Sequence, residues 1–376
     1  MTATSIRSRV VVIGGGVLGV STATQLVRQG AEVTLLTEGE LASGASGRSL
    51  SWLNTAGLRS PEYHALRQLG IDRYRTLAAR EDVSAFLRFD GGLTWAPEGE
   101  SFRPVIEHER SIGYDAQWVT ADEVASVTPG VDPAAVASEG AIFNPGEGWV
   151  DLPSLIQHLA AEFTARGGSL ITGAGHVDVV VEDGRAVGAV ASDGRRFDAD
   201  AVLLATGPGV PAQVAEHGIA IEDGSPAALL VWTKPVDTQL TAVLNTPNVA
   251  VRPTPTGALA LDSAWSEESL VVGDDGSIAV PEGIVDRLLV EASRVLAGNP
   301  ALELDGFGIG GKPIPGDGEP VLGELDQIDG YFVAFTHSGA TLGLIAGELL
   351  AREILTGEKS PLLETFRPAR FSAALV

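Results

Sequence analysis

The chain has 376 residues, of which 44% are hydrophobic and 20% charged, and 25 Lys and Arg stand against 49 Asp and Glu for a formal net charge of -24. Length and composition describe a folded globular protein of two or three structural units, and the acidic excess disfavours nucleic acid and anionic membranes as partners. The absence of cysteine excludes disulfides, thiolate nucleophiles, iron–sulfur clusters and a flavin attached through sulfur, and the six histidines lack HxxxH or HExxH spacing, so no metal site is expected.

The N-terminus, MTATSIRSRVVVIGGG, places its cations before a short apolar run that enters a glycine loop without a small-residue cleavage site. No apolar run reaches the length of about 18 residues needed to span a membrane. The reading is a cytoplasmic protein.

Residues 9–13, RVVVI, read as a strand buried on both faces that leads into Gly14, Gly15, Gly16, Val17, Leu18 and Gly19, a G-x-G-x-x-G turn. VSTATQLVRQG follows with helical apolar spacing and Gly30 as its stop, and AEVTLL predicts a second strand that ends near Glu38. In a dinucleotide site Gly14 permits the tight turn, Gly16 lets the backbone approach a pyrophosphate, and Gly19 allows close helix–strand packing. Glu38, about twenty residues past the last glycine, is placed to accept from ribose hydroxyls. These features leave NAD and FAD equally open. GELASGASGRSLSWLN, residues 39–54, then offers amides, hydroxyls and Arg48 in a loop suited to phosphate or a flavin ring, or to a plain surface.

Residues 61–80 predict a helix, LRFDGGLTW a strand and a turn, and residues 103–127 helix in part. GEGWVDLPSLIQHLAAEFTARGG predicts a helix starting near Pro153 and closed by Gly167 and Gly168. Three strand-like runs follow, joined by DG turns at 183 and 193, the last of them leading to AVLLATG. From about 215 to 305 the pattern is irregular and strand-rich, without βαβ units, and reads as a separate substrate-facing sheet. GYFVAFTHSGATLGLIAGELLAREILTG predicts a buried strand, a small-residue turn and a helix from about 341 to 356, whose N-terminus could present N–H groups to an electron-rich ring edge or simply pack on the sheet.

Taken together, GGGVLG with Glu38, ASGRS, GWVDLPSLIQHL, AVLLATG, KPIPGDGEPVLGE and FTHSGATLG resemble, in order, the D-amino acid oxidase family of FAD-dependent oxidoreductases, which includes glycine oxidase, sarcosine oxidase and D-amino acid dehydrogenase. The resemblance implies an α/β (α+β overall) fold: a Rossmann-like FAD-binding domain of the glutathione-reductase type over 1–84, 145–214 and 306–376, with an inserted antiparallel-sheet substrate domain over 85–144 and 215–305. By position it implies that Gly14, Gly16, Val17, Leu18 and Gly19 hold the pyrophosphate of non-covalent FAD and Glu38 the ribose. Ser46, Arg48 and Ser49 would follow the phosphates towards the flavin, Val177 would meet the adenine, and Thr206 and Gly207 would lie beside the cofactor. Gly339, Ala340, Thr341 and Leu342 would face the flavin pyrimidine edge.

Lys312 stands where amino-acid oxidases of this family usually carry an arginine that pairs with the substrate carboxylate. A lysine keeps the charge and loses the two-pronged fit. It reads as that anchor, as a group near the flavin that assists reaction with oxygen, or as a surface lysine neutralising Asp317 or Glu319. His337 is a candidate substrate-facing or catalytic residue, against a structural role in its turn. Arg252, in VRPTPTG, is an alternative carboxylate anchor or an edge-strand surface charge, the latter favoured by the prolines. Trp52 and Asn54 follow the flavin loop and are candidates to line the ring, with core packing the alternative for the tryptophan. The implied activity is oxidation of a C–N bond of an amino acid or a secondary or cyclic amine by hydride transfer to flavin N5, giving an imine that hydrolyses, with electrons passed to oxygen or another acceptor. The expected partner is that small molecule, with a homodimer as the candidate assembly. The competing readings are a flavin-bearing electron-transfer subunit of a hetero-oligomeric amine dehydrogenase, an NAD-dependent dehydrogenase using the first motif alone, and an inactive module that retains FAD.

Overall fold

Four consecutive apolar residues of Arg9–Ile13 are buried, as expected of a strand covered on both faces. This strand pairs in parallel with Glu32–Leu36 on one side and Ala201–Leu204 on the other. The computed structural model describes residues 8–372; residues 1–7, part of the N-terminal reading, lie outside them. The chain divides into two compact units: Met1–Gly47, Leu152–Pro226 and Gly311–Val376 form one, and Arg48–Asp151 and Ala227–Gly310 the other.

In the first unit a six-stranded sheet runs in the order Val321–Glu324, Tyr331–Phe335, Ala201–Leu204, Arg9–Ile13, Glu32–Leu36 and Ser169–Ile171. All neighbours are parallel except Val321–Glu324, which is antiparallel to Tyr331–Phe335. The helix Val17–Arg28 packs against Leu152–Ala165 and Gly339–Thr356. The last approach is close because Gly347 has no side chain: a Cβ there would fall 2.3 Å from Ser21 Oγ. An antiparallel meander, Val177–Glu182, Arg185–Ala191 and Arg196–Asp198, turns at Asp183–Gly184 and Asp193–Gly194 and shares a core with the sheet through Val179, Ala189, Val202 and Val333. This is the expected α/β architecture.

The second unit is built on an eight-stranded sheet ordered Leu304–Gly311, Ala227–Thr233, Leu259–Asp262, Ala250–Pro253, Val243–Asn245, Gly92–Thr94, Ala141–Asn144 and Gln117–Val119. It is mainly antiparallel, with a parallel pairing between Val243–Asn245 and Gly92–Thr94. One face buries Val231, Leu244, Val251 and Leu261 with Leu288, Ala292 and Val295 of the helix Ile284–Val295. Each fully buried Val or Leu side chain among these contributes roughly 1.5–3 kcal/mol. This helix interrupts a region whose sequence reads as strands and irregular chain. Its signal is present nonetheless, in the spacing of Leu288, Leu289, Ala292 and Val295.

The units differ from the sequence-based boundaries at residues 48–84 and 145–151, which fall in the second unit. The reason is strand pairing: Trp52–Leu53 and Leu87–Arg88 both hydrogen-bond to Gly148–Val150 in a three-stranded sheet. Residues 215–226 fall in the first unit and 306–310 in the second. Among the described residues no helix is long and apolar enough to cross a membrane, and no group of three or more His, Asp or Glu is placed to hold a metal ion.

Candidate functional site

The glycine turn owes its shape to missing side chains. Gly14 has φ +124°, and a Cβ there would lie 2.3 Å from the Ala205 carbonyl oxygen. At Gly19 a Cβ would lie 2.0 Å from the carbonyl oxygen of Gly14, so the helix can sit this close to the turn only as glycine. Gly16 precedes the first turn of Val17–Arg28, which contains no acidic residue and includes Val17, Leu18 and Gly19, all buried. The Val17 amide donates to Ser46 Oγ at 3.0 Å, placing Ser46 at the helix tip. Glu38 is exposed just beyond Glu32–Leu36, and its carbonyl accepts from the Gly175 amide at 3.1 Å.

Two further predicted residues meet through one glutamine. Gln213 Nε2 donates to the carbonyl of buried Val177 at 3.1 Å, while Thr206 Oγ1 donates to Gln213 Oε1 at 2.6 Å. Gly207 follows with φ +61°. Gly339 begins the helix Gly339–Thr356, whose first turn also lacks an acidic residue; Thr341 and Leu342 are buried and Ala340 is half-buried. A Cβ on Gly339 would lie 3.6 Å from Val17 Cγ1, so the early and late helix N-termini stand side by side. Each presents amides and a partial positive charge, with no carboxylate to compete. A glycine floor, two amide-bearing helix tips and an acid after the second strand fit a dinucleotide.

The other predicted residues are distributed between the units. Lys312, in the first, is half-buried, and its amide donates to the Pro226 carbonyl at 2.9 Å. The Asp317 carboxylate is held by Arg370 at 2.7 and 3.0 Å. His337 is exposed between Tyr331–Phe335 and Gly339–Thr356. In the second unit, Ser49 Oγ accepts from the Ser51 amide at 3.0 Å. Arg48 lies along the Leu304–Gly311 strand, where a Cβ on Gly310 would fall 2.5 Å from its Nη2, and burial lowers its pKa. Asn54 is enclosed by Arg67, whose Nε and Nη2 each donate to it at 2.9 Å.

Arg252 is not a surface charge on an edge strand. Ala250–Pro253 lies inside the eight-stranded sheet, and Arg252, absent from the helix-covered core that takes Val251, is nonetheless only 2% exposed. Its guanidinium carbon lies 5.5 Å from the centre of the Trp149 ring, Nη1 donates to the Pro253 carbonyl at 3.1 Å, and Nη2 is 3.6 Å from Asp151. Burial pulls its pKa down to about 10, with Asp151 and Asp262 opposing. Its Nε is buried and has no hydrogen-bond partner among the described residues. A buried cation with a spare donor is the arrangement a ligand anion would complete.

A family model described as FAD dependent oxidoreductase matches residues 9–353. The chain belongs to this family. The oxidoreductase is 26% identical over 357 residues to a glycine oxidase of Geobacillus kaustophilus (strain HTA426), covering 92% of each chain. It is 23% identical over 377 residues to one of the subunits of an opine oxidase of Agrobacterium tumefaciens (strain Ach5), covering 96% of this chain and 97% of the other. The crystal structure of an iminodiacetate oxidase from Chelativorans sp. BNC1 shares the fold, with a TM-score of 0.80 at 22% identity over 96% of this chain and 99% of that one. FAD is therefore its cofactor, and the glycine floor and paired helix tips are the features of this FAD-dependent oxidoreductase that fit it.

The second unit of the oxidoreductase also contains a polar cluster that motif reading missed. Glu147 is fully buried. Tyr114 OH donates to its Oε1 at 2.5 Å, Asn144 Nδ2 to the same oxygen at 3.2 Å, and Trp52 Nε1 to Oε2 at 2.8 Å. Asn144 Nδ2 also reaches Oε2 of a second fully buried acid, Glu109, at 3.5 Å, and Glu109 Oε1 accepts from the Gly57 amide at 2.7 Å. Three donors favour the Glu147 carboxylate, yet burial outweighs them and pushes its pKa up to about 8. Burial likewise raises Glu109. In sequence Glu147 lies between two glycines, a pattern that reads as a solvated turn, and only Gly148 carries a hint of its setting: a Cβ there would fall 1.9 Å from the Arg88 carbonyl oxygen.

Proposed function

We propose that the chain oxidises the C–N bond of a small carboxylate-bearing amine, an amino acid or a secondary or cyclic amine, and that Arg252 recognises the carboxylate. The observation that carries the substrate reading is the buried guanidinium with an unpartnered Nε. The names of the glycine oxidase and iminodiacetate oxidase relatives support the same substrate class.

Gly14, Gly16, Val17, Leu18 and Gly19, with Ser46, would hold the pyrophosphate of FAD without a covalent bond. Glu38 would take the ribose, Val177 the adenine, and Thr206 and Gly207 the neighbouring stretch. The amides of Gly339, Ala340, Thr341 and Leu342 would stabilise negative charge at the pyrimidine edge. Bound FAD would supply acceptance of a hydride at N5 from the carbon beside an uncharged amine. The resulting imine hydrolyses in water, and the electron pair passes on to oxygen or another acceptor. The protein's part is to position the substrate and exclude water, with no demand for an acid–base side chain. Lys312 is the alternative carboxylate anchor, and His337, Trp52 and Asn54 are proposed to face the substrate. The cysteine-free, acidic composition supports a cytoplasmic setting.

The test is to add glycine, N-methyl amino acids, D-amino acids, iminodiacetate and cyclic amines to the purified yellow protein without oxygen. Loss of the flavin band with carboxylate-bearing amines supports the reading, and a colourless preparation that cannot be reconstituted with FAD defeats it. A second reading, a flavin-bearing component of a larger dehydrogenase, draws on the likeness to the opine oxidase chain. Substrate bleaching followed by hydrogen peroxide release in air separates a self-sufficient oxidase from such a component.

A further inference from the structure

Glu147, Tyr114, Asn144 and Glu109 form a chain of buried polar groups that ends on the Trp52 indole and on the backbone of the following segment. Tyr114 OH accepts from the Thr55 amide at 3.2 Å, and Glu109 takes the Gly57 amide. Residues 52–57 are thus held on one side by side chains whose far ends meet at two carboxyl groups. The two acids are linked by a single amide, Asn144, whose Nδ2 serves both while its buried Oδ1 has no partner among the described residues. An ionised pair so connected suffers mutual repulsion in a dry site, whereas a protonated carboxyl can use Oδ1 as its acceptor once the amide turns over.

We propose that Glu147 is a positioning residue: with Glu109 and Asn144 it holds a proton next to the Trp52 indole, and release of that proton changes how Trp52 and residues 54–57 are seated. The significance for substrate rests on the proposed function, since it takes Trp52 and Asn54 to face the substrate; the proton-holding network itself does not. The charged and titratable groups around the network are Glu109 and His108 from the helix Arg103–Ser111, His64, Arg67 and Arg75 from Pro61–Arg80, Tyr114, and Arg88 with its partner Asp90. His64 stacks edge-on against Tyr114 at 5.6 Å and accepts or donates at Thr55 Oγ1 at 3.0 Å, and burial lowers its pKa. Arg75 donates to the Gly146 carbonyl, next to Glu147. An alkaline transition at Trp52 is therefore separable from the titration of His64.

The experiment compares tryptophan emission of the holoprotein and its Trp52→Phe variant from pH 6 to pH 10. The difference between them should titrate with a midpoint close to the value of about 8 for Glu147. Glu147→Gln should leave that difference flat. Should Glu147→Gln fail to fold, Tyr114→Phe decides: it removes a donor that favours the ionised carboxyl, so the midpoint should rise by roughly one to two pH units. A midpoint that stays put in Tyr114→Phe, or a titration that persists in Glu147→Gln, overturns the proposal. The KM of the panel's best substrate, measured in Trp52→Phe, tests the other premise. An unchanged KM beside a normal titration removes Trp52 from the substrate site and leaves the network standing.

Discussion

Replacing Arg252 by methionine separates a ligand anchor from a structural ion pair. Burial pulls the guanidinium down to about 10, and at about 1.4 kcal/mol per pK unit the buried charge costs on the order of 3 kcal/mol. Because the folded-state value lies below the unfolded one, this cost is present at every pH below about 10 and fades only as pH rises above that value. Opposing it is the contact with Trp149, worth roughly 1–2 kcal/mol when desolvated; the long 3.6 Å pairing with Asp151 is already contained in that net cost, and the Asp151 side chain is 17% exposed and can take water instead. Arg252→Met should therefore alter unfolding stability by no more than about 1 kcal/mol, whereas breaking a buried pair kept for stability costs about 3–5 kcal/mol. Loss of a hydrogen bond between charged groups, about 1.5–3 kcal/mol, should raise KM for the best carboxylate-bearing substrate roughly 10- to 150-fold. Its decarboxylated analogue should be unaffected. Anaerobic flavin bleaching reads the first effect and thermal unfolding of the holoprotein the second. A variant that loses about 3 kcal/mol or more of stability yet binds the carboxylate normally would refute the reasoning.

Lys312→Met should weaken carboxylate-bearing substrates selectively if this lysine is the anchor; unchanged KM across the panel assigns that role to Arg252 alone. Gly19→Ala places a Cβ 2.0 Å from the Gly14 carbonyl oxygen, so the turn must open, and FAD retained per mole of purified protein should fall at least about tenfold; full retention contradicts the role given to the turn. Glu147 binds its proton more tightly folded, at about 8, than unfolded, near 4.5. Its contribution to stability is complete below pH 4.5 and is lost as pH rises to about 8, by up to roughly 4–5 kcal/mol. The melting temperature of Glu147→Gln should accordingly gain on wild type across that range, and parallel pH profiles would contradict the burial argument.

The sequence by itself determined the elements whose physics is local. The strand Arg9–Ile13, the glycine turn, the helix Pro61–Arg80 between a capping Ser60 and Arg80, and the DG turns of the meander all declare themselves through apolar runs, caps and backbone conformations that nearby residues dictate. So do Gly14 and Gly19 at the early helix tip, because positions that exclude a Cβ leave glycine as their trace. What tertiary structure alone decided is burial and pairing. Whether Arg252 faces water or Trp149 depends on strands laid on both sides of it by residues 243–245 and 259–262, and proline spacing misreads that outcome. Glu147 and Glu109 look like solvated acids until Tyr114, Asn144 and the sequence-distant Trp52 close around them and water leaves. A carboxyl's charge state follows from its solvent and its neighbours, and both are assembled only when the chain has folded.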